Sequence, residues 1–277
     1  MNHVEAVNAA TSRIDRVDRV DASTESIAAY APVTLADLDA TAALQKRRDR
    51  KYVLAPDSGA TLLDHLARLG SRRVLEIDGR RSFRYESLYF DTDDLAFYRA
   101  AVQRRRHRAK VRIRRYVDTG AVFLEVKLRD RRGMQQKYRM GIDEVATRLD
   151  VDMRRFVDQL VGEVGLARTL RPTAITRYRR VTLLHDSTAT RATFDTGLTC
   201  FDVRPRPAGQ AAPAVALPAM IVESKSGSVA TDLDRHLWAT GERPVKISKY
   251  CTGLAALDPE LPSNRWNRTL RNHFHAT

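Results

Sequence analysis

Lys110-Val-Arg112-Ile-Arg114 and Glu125-Val-Lys127-Leu-Arg129 alternate charged with aliphatic residues over the length of a β-strand. Side chains along a strand point to opposite faces with a period of two. Each segment therefore carries charge on one face and Val, Ile or Leu on the other. The aliphatic face is the one to bury. The charged face then meets solvent, unless the sheet curls and encloses it. A curled sheet would make a channel lined with Arg and Lys, a place for a polyanion.

The same phase recurs outward from this pair. It sets Lys51, Lys137, Arg139, Tyr178, Arg180, Arg191, Asp195, Glu223 and Lys225 on charged faces, followed by Lys246, Ser248 and Lys249. The opposite phase carries Val111, Ile113, Val122, Leu124, Val126, Leu128, Ala192, Phe194, Met220 and Val222. An open antiparallel sheet also turns charge to water, and for any single strand that is the ordinary arrangement. Here the charge is nearly all of one sign on strands spread from residue 51 to 225. Like charges directly opposite each other repel, so such a stack makes sense when an anion sits among the strands. Glu125 and Glu223 are the exceptions. Each is either a structural counter-ion or a ligand for a hard divalent ion, which needs one or two carboxylates beside phosphate oxygens.

Strands are expected at Arg48–Leu54, Arg73–Ile77, Phe83–Asp91, Lys110–Tyr116, Val122–Arg129, Gln135–Met140, Ala174–Leu184, Arg191–Thr196 and Ala219–Lys225. Gly120 and Gly133 stand at turns. Helices are expected at Thr34–Leu44, Thr61–Leu69 with a stop at Gly70, Asp93–Arg105, Val145–Val164, Ser228–Ala239 and Ser248–Leu257. Thr92 or Asp93 is placed to cap the third of these. The stripe Leu149, Met153, Phe156, Val157, Leu160 and Val164 is a core face. Trp266 and Phe274 in the tail are expected to pack back on the body. Residues 1–33 have no sustained periodicity and are expected to form a mobile arm; residues 34–277 form the domain. The fold class is α+β, a closed antiparallel barrel of about eight strands with surrounding helices.

The formal charge of +14 over 277 residues and a pI near 10.2 point to an anionic partner, although a solvated basic surface would look the same. Cys200 and Cys251 stand far apart without partner motifs, which argues against a disulfide framework or a Cys-based metal site. No apolar run is long enough to span a membrane, and the first 20 residues lack a secretory apolar core. The cytoplasm is the expected compartment. There is no Walker A loop, HExxH or GxSxG motif, and the His residues show no ligand spacing.

Nine segments in order resemble the VTC domain, the polyphosphate polymerase domain of the triphosphate tunnel fold. They are Arg48-Asp-Arg-Lys-Tyr52, Tyr89-Phe-Asp-Thr92, Lys110-Val-Arg-Ile-Arg-Arg-Tyr116, Phe123-Leu-Glu-Val-Lys127, Gln136-Lys-Tyr-Arg139, Pro172-Thr-Ala-Ile-Thr-Arg-Tyr-Arg-Arg180, Arg191-Ala-Thr-Phe-Asp-Thr196, Ile221-Val-Glu-Ser-Lys225 and Lys246-Ile-Ser-Lys-Tyr250. Each alone is weak; nine collinear over about residues 34–257 are specific. The resemblance implies a basic tunnel in which the γ-phosphoryl group of ATP passes to a growing inorganic polyphosphate chain. It implies phosphate contacts from Lys51, Arg112, Arg114, Lys127, Lys137, Arg180, Arg191 and Lys249. Tyr178 and Ser248 stand beside them as neutral donors, with Lys225 and Arg139 as further substrate contacts. Glu223 is implied as the ligand of Mn²⁺ or Mg²⁺, ahead of Glu125.

Two alternatives stay open. Tunnel triphosphatases resemble one another in a Glu-x-Glu-x-Lys first strand; here those positions hold Arg47, Asp49 and Lys51, which weakens a two-metal hydrolytic site while Asp49 preserves part of it. The other is a non-catalytic binder of polyphosphate or nucleic acid. Aromatic residues are 7% of the chain and the charged phases hold mainly Tyr178, so stacking on single strands is not expected. Duplex binding through phosphates needs no aromatics. In the family this domain often works at a membrane, which leaves a membrane protein partner open, although no transmembrane segment in this sequence supports one.

Overall fold

The computed structural model describes residues 24–41, 48–129, 135–207, 210–227 and 229–274. In chain order the elements are α1 (Thr24–Ala28), β1 (Ala31–Val33), α2 (Leu35–Thr41), β2 (Arg48–Leu54), α3 (Pro56–Arg68), β3 (Arg72–Leu75), β4 (Phe83–Asp91), α4 (Ala96–Val102), β5 (Arg108–Tyr116), β6 (Val122–Arg129) and β7 (Gln135–Ile142). They continue with α5 (Val151–Val161), β8 (Arg171–His185), β9 (Thr190–Asp202), β10 (Ala214–Ala216), β11 (Met220–Ser226), α6 (Asp232–Ala239), α7 (Lys249–Leu257) and α8 (Asn267–His273).

The main path of the sheet runs β2-β11-β9-β8-β4-β5-β6-β7, antiparallel at every step. The closed barrel expected from the sequence is not found: among the described residues β2 and β7 do not pair with each other. One reason lies at β2, where the Lys51 carbonyl accepts from the Val245 N–H at 2.7 Å. The coil before α7 thus takes up the free edge that β7 would need. β7 is exposed from Gln135 to Arg139 and, among the described residues, pairs only with β6.

The sheet still curls, and the period-two pattern says which way. Val111, Ile113, Val122, Leu124, Val126 and Leu128 are buried on its outer face with Met153 and Val157 of α5. Tyr52, Val181, Phe194 and Val222 are buried on the same face further along, under α3 and α6. These helices hold the apolar phase of every long strand, which leaves the charged phase on the inner face. At one end α7 packs against the inside of β9 and β8, with Cys251 and Leu254 fully buried. Register shifts between Arg177 and Arg179 and between Tyr89 and Phe90 bend the two longest pairings.

Several boundaries differ from the sequence expectation. Residues 24–33 of the expected arm are built into the body: Ile27, Tyr30 and Val33 are buried, and β1 pairs in parallel with β3. Residues 1–23 of that arm, Gly133, Arg47 and Ser228 lie outside the described residues. The helix expected from Val145 starts at Val151, because the Asp150 carboxylate caps it by accepting from the Asp152 and Met153 N–H groups. The helix expected from Thr61 starts at Pro56, whose missing N–H is harmless in a first turn. Arg191–Thr196 is part of a longer strand reaching Asp202.

Candidate functional site

The inner face encloses a cavity of about 750 Å³. Each strand delivers its charged phase to it: Lys51 from β2, Lys110, Arg112 and Arg114 from β5, Lys127 from β6, Lys137 and Arg139 from β7, Arg180 from β8, Arg191 from β9 and Lys225 from β11. Ser248 and Lys249 reach it from the start of α7, and Tyr178 from β8. Lys51, Glu223 and Asp49 act electrostatically on Lys127, so the β6 wall faces the β2–β11 wall across the gap even though no ladder joins them.

Thirteen of the fourteen residues singled out from sequence line this cavity; Glu125 does not. Its carboxylate is 1% exposed and is committed to cations. Arg112 donates to Glu125 Oε2 through Nε (2.8 Å) and Nη2 (2.5 Å), and Lys137 Nζ lies 2.6 Å from Oε1. Burial works to raise this carboxyl, but Arg112, Arg114 and Lys137 outweigh it and hold it well below the usual carboxylate range. Glu125 is a buried counter-ion that aims Arg112, not a group placed to hold a metal.

Asp195 does the same on the other wall, and its role was not visible in the sequence. It is fully buried, accepts from Arg180 Nε (2.6 Å) and Nη2 (2.8 Å), and pairs with Lys249 Nζ. Arg180 and Lys249 also lie over the Tyr178 ring. Tyr85 and Tyr89, likewise not singled out, line the cavity; Tyr85 stacks on Tyr178 with centroids 5.2 Å apart, and the Tyr89 hydroxyl accepts from Arg112 Nη1 at 3.0 Å. The alternation of Tyr85, Ser87 and Tyr89 with Leu88 and Phe90 was the signal that could have found them.

Glu223 faces the cavity with Lys225 Nζ 3.0 Å from its Oε1. Burial raises its proton affinity, yet Lys225, Lys51, Arg180 and Lys127 hold its pKa well below the usual value. Asp49 lines the cavity too, one inward-facing position along β2 from Lys51, the residue that pairs with Glu223. Among the described residues no three His, Cys, Asp or Glu come together as a metal site. The donor set therefore fits only a hard ion that takes most of its shell from water and phosphate oxygens. The lysines show the strain of enclosure. Enclosure between the walls, then Lys51, lowers Lys127 even though its side chain stays open to solvent, and burial pushes Lys225 down to about 8 against the pull of Glu223. Lys110 and Lys137 are lowered as well, again by burial first.

A family model described as the VTC domain matches residues 46–258. No curated protein matches the chain. Among solved structures, an adenylate cyclase candidate from Bacillus halodurans is similar at 11% identity and a TM-score of 0.45, covering 74% of this chain and 94% of that one. A Hippeastrum adenylyl cyclase candidate, described as revealing a dominant triphosphatase activity, is similar at 16% identity and a TM-score of 0.41, covering 74% and 93%. A Pyrococcus horikoshii protein is similar at 13% identity and a TM-score of 0.39, covering 72% and 92%.

Proposed function

The chain belongs to the VTC domain family, a family of tunnel-fold enzymes, and from that membership we propose that it transfers the γ-phosphoryl group of ATP to the end of an inorganic polyphosphate chain. The observation that carries this is the sign of the cavity: ten or more cations from seven strands and a helix turn inward, against three carboxylates, Asp39, Asp49 and Glu223. Phosphoryl transfer spreads charge over the oxygens of the moving group, so catalysis is largely positioning and electrostatic stabilisation. Arg112 and Arg114, aimed by Glu125 and Ser87, offer guanidinium forks to phosphate oxygens. Arg180 and Lys249, held by Asp195, clasp the chain from the opposite wall.

In the transfer, a terminal oxygen of the polyphosphate forms a bond to the γ-phosphorus. The bond from that phosphorus to the β,γ-bridging oxygen breaks, and ADP leaves with the electron pair. The acceptor is already an oxyanion, so no general base is required. Among the described residues no histidine lines the cavity, which suits that requirement. Glu223, with Asp49 beside it, is the residue to hold Mn²⁺ or Mg²⁺, which would supply charge neutralisation at the phosphate oxygens. Soluble substrates, ATP and polyphosphate, are the partners of this site, and no helix of the described residues is long and apolar enough to cross a membrane.

Asp49 favours one second reading. Two carboxylates on neighbouring strands are also the beginnings of a hydrolytic site for ATP or inorganic triphosphate. Incubation with ATP and Mn²⁺ separates the two: polymer with ADP supports the transferase, whereas free phosphate or pyrophosphate without polymer overturns it.

A further inference from the structure

The cationic row does not end with the cavity. Across β5 and β6, Arg112 stands opposite Glu125, Lys110 opposite Lys127, and Arg108 opposite Arg129. The first of these pairs is an ion pair; the next two set like charges face to face, an arrangement that costs a sheet stability. Lys110 and Lys127 line the cavity, and Arg108 and Arg129 lie one pair further out on the same face. Arg265 comes to this end from the segment before α8, where its Nη1 donates to the Ala101 carbonyl at 2.6 Å. Arg108 Nη1 donates to the Arg105 carbonyl at 2.9 Å, and just past α4 the Arg104 N–H donates at 3.3 Å to the same Ala101 carbonyl that Arg265 binds.

Burial, Arg265 and Arg129 together push the Arg108 guanidinium down to about 10, and burial, Arg104 and Arg129 lower Arg265. Arg265 is thus within charge range of Arg104, Arg108 and Arg129, and Arg108 of Arg129. Among the described residues no carboxylate ion-pairs with Arg108 or Arg265. An ordinary basic surface mixes signs; a half-buried cluster of one sign keeps its pairing capacity for an anion from outside.

We propose that Arg104, Arg108, Arg129 and Arg265 form a distal phosphate subsite, which holds a polyphosphate chain beyond the point of transfer. This rests on the polyphosphate assignment of the tunnel. Arg108 lies four residues from Arg112 along β5, roughly 13 Å at about 3.3 Å per residue. A triphosphate clasped by Arg112 and Arg114 falls short of it, and a long chain does not. The subsite therefore reads chain length, and it sets the direction in which the chain leaves the transfer site.

The test is the affinity of the full-chain protein for two probes, tripolyphosphate and long-chain inorganic polyphosphate, with and without Arg108→Gln/Arg129→Gln. The double variant should lose about tenfold in long-chain affinity, about 1.4 kcal/mol, and keep tripolyphosphate affinity within about twofold. Arg104→Gln, on an exposed turn, should move long-chain affinity the same way by a smaller factor and guards against misfolding of the double variant. Equal losses for both probes, or none for either variant, would overturn the subsite. So would wild-type sedimentation with phosphatidic acid vesicles that the variants lose while long-chain binding is untouched, since the arginines would then serve membrane phosphate. A wild type that binds long chains yet makes no polymer from ATP removes the polymerase assignment and leaves the length dependence standing.

Discussion

Two glutamates on the same sheet sit in opposite settings, and the difference is their partners. Glu125 is enclosed by Arg112, Arg114 and Lys137, whereas Glu223 faces the cavity and keeps one oxygen clear of Lys225. Replacing Glu125 by Gln leaves three cations without their anion, and breaking such a buried set costs about 3–5 kcal/mol. Chemical denaturation of the ligand-free protein should show that loss, and added tripolyphosphate should restore much of it. Glu223→Gln should instead cut metal-dependent ATP turnover by about a hundredfold or more, while affinity for tripolyphosphate stays level or rises. If both variants lose stability alone and keep turnover, Glu223 is a second counter-ion and the metal assignment fails. Alternation placed both glutamates on the charged face, because parity is a property of the strand itself. It could not rank them, since the cations that claim Glu125 come from a neighbouring strand on each side. The role of Asp195 was hidden for the same reason: its partners, Arg180 and Lys249, are 15 and 54 residues away.

Among the elements, α7 carries the most weight per residue. Its cap, Ser248, accepts from the Cys251 N–H (3.3 Å) and from Lys110 Nζ (2.7 Å), and its first residue, Lys249, enters the cavity. The helix can deliver these groups only by lying close to β9, and Gly253 is where it does so. A methyl group there would overlap Cys200 Sγ and come within 2.8 Å of Cys200 Cβ. Gly253→Ala should therefore push the helix outward, costing about 1–3 kcal/mol of stability as overpacking does. It should also weaken tripolyphosphate binding, because Lys249 and Ser248 move with the helix. Denaturation and titration calorimetry on one sample check both, and a variant of wild-type stability and affinity would refute the close fit. The helix was legible in the sequence from Ser248 to Leu257, since its cap and its length are local signals. That it lies inside the curl of the sheet was not, because nothing local distinguishes an inner from an outer helix. β7 shows the same limit. Its charged phase was readable, but its failure to pair with β2 depends on Val245, more than 100 residues later in the chain.

For the molecule as a whole, the inward-facing cations repel one another across the cavity, and pH should expose that strain. Burial holds Lys225 near 8 in the folded protein, against about 10.4 for a free lysine, and Lys127 is lowered in the same direction. The groups facing Lys225 are Glu223, Arg180 and Asp49, so burial and like charge prevail over two carboxylates. Between about pH 7 and 10 the unfolded chain binds protons that the folded chain has released. Stability of the ligand-free protein should then rise with pH across this window. The buried tyrosines do not reverse this below pH 10, because burial raises Tyr30, Tyr52 and Tyr98 above that value, while Tyr89, lowered by Arg112 and Arg114 against its burial, acts in the same direction as the lysines. Glu125 and Asp195 act at the opposite extreme: both are depressed, so their contribution is present above about pH 4 and is lost as pH falls further. A bound polyanion inverts the middle window. It raises the lysine pKa values, so binding at pH 8 should take up on the order of one proton per protein, and affinity should fall as pH rises from 7 to 9. Calorimetry in buffers of different ionisation enthalpy measures that uptake directly, and the melting temperature with and without tripolyphosphate measures the stability arm. A stability that is flat from pH 7 to 10, together with binding that moves no protons, would mean that the tunnel lysines are fully charged when empty and that enclosure strains them little.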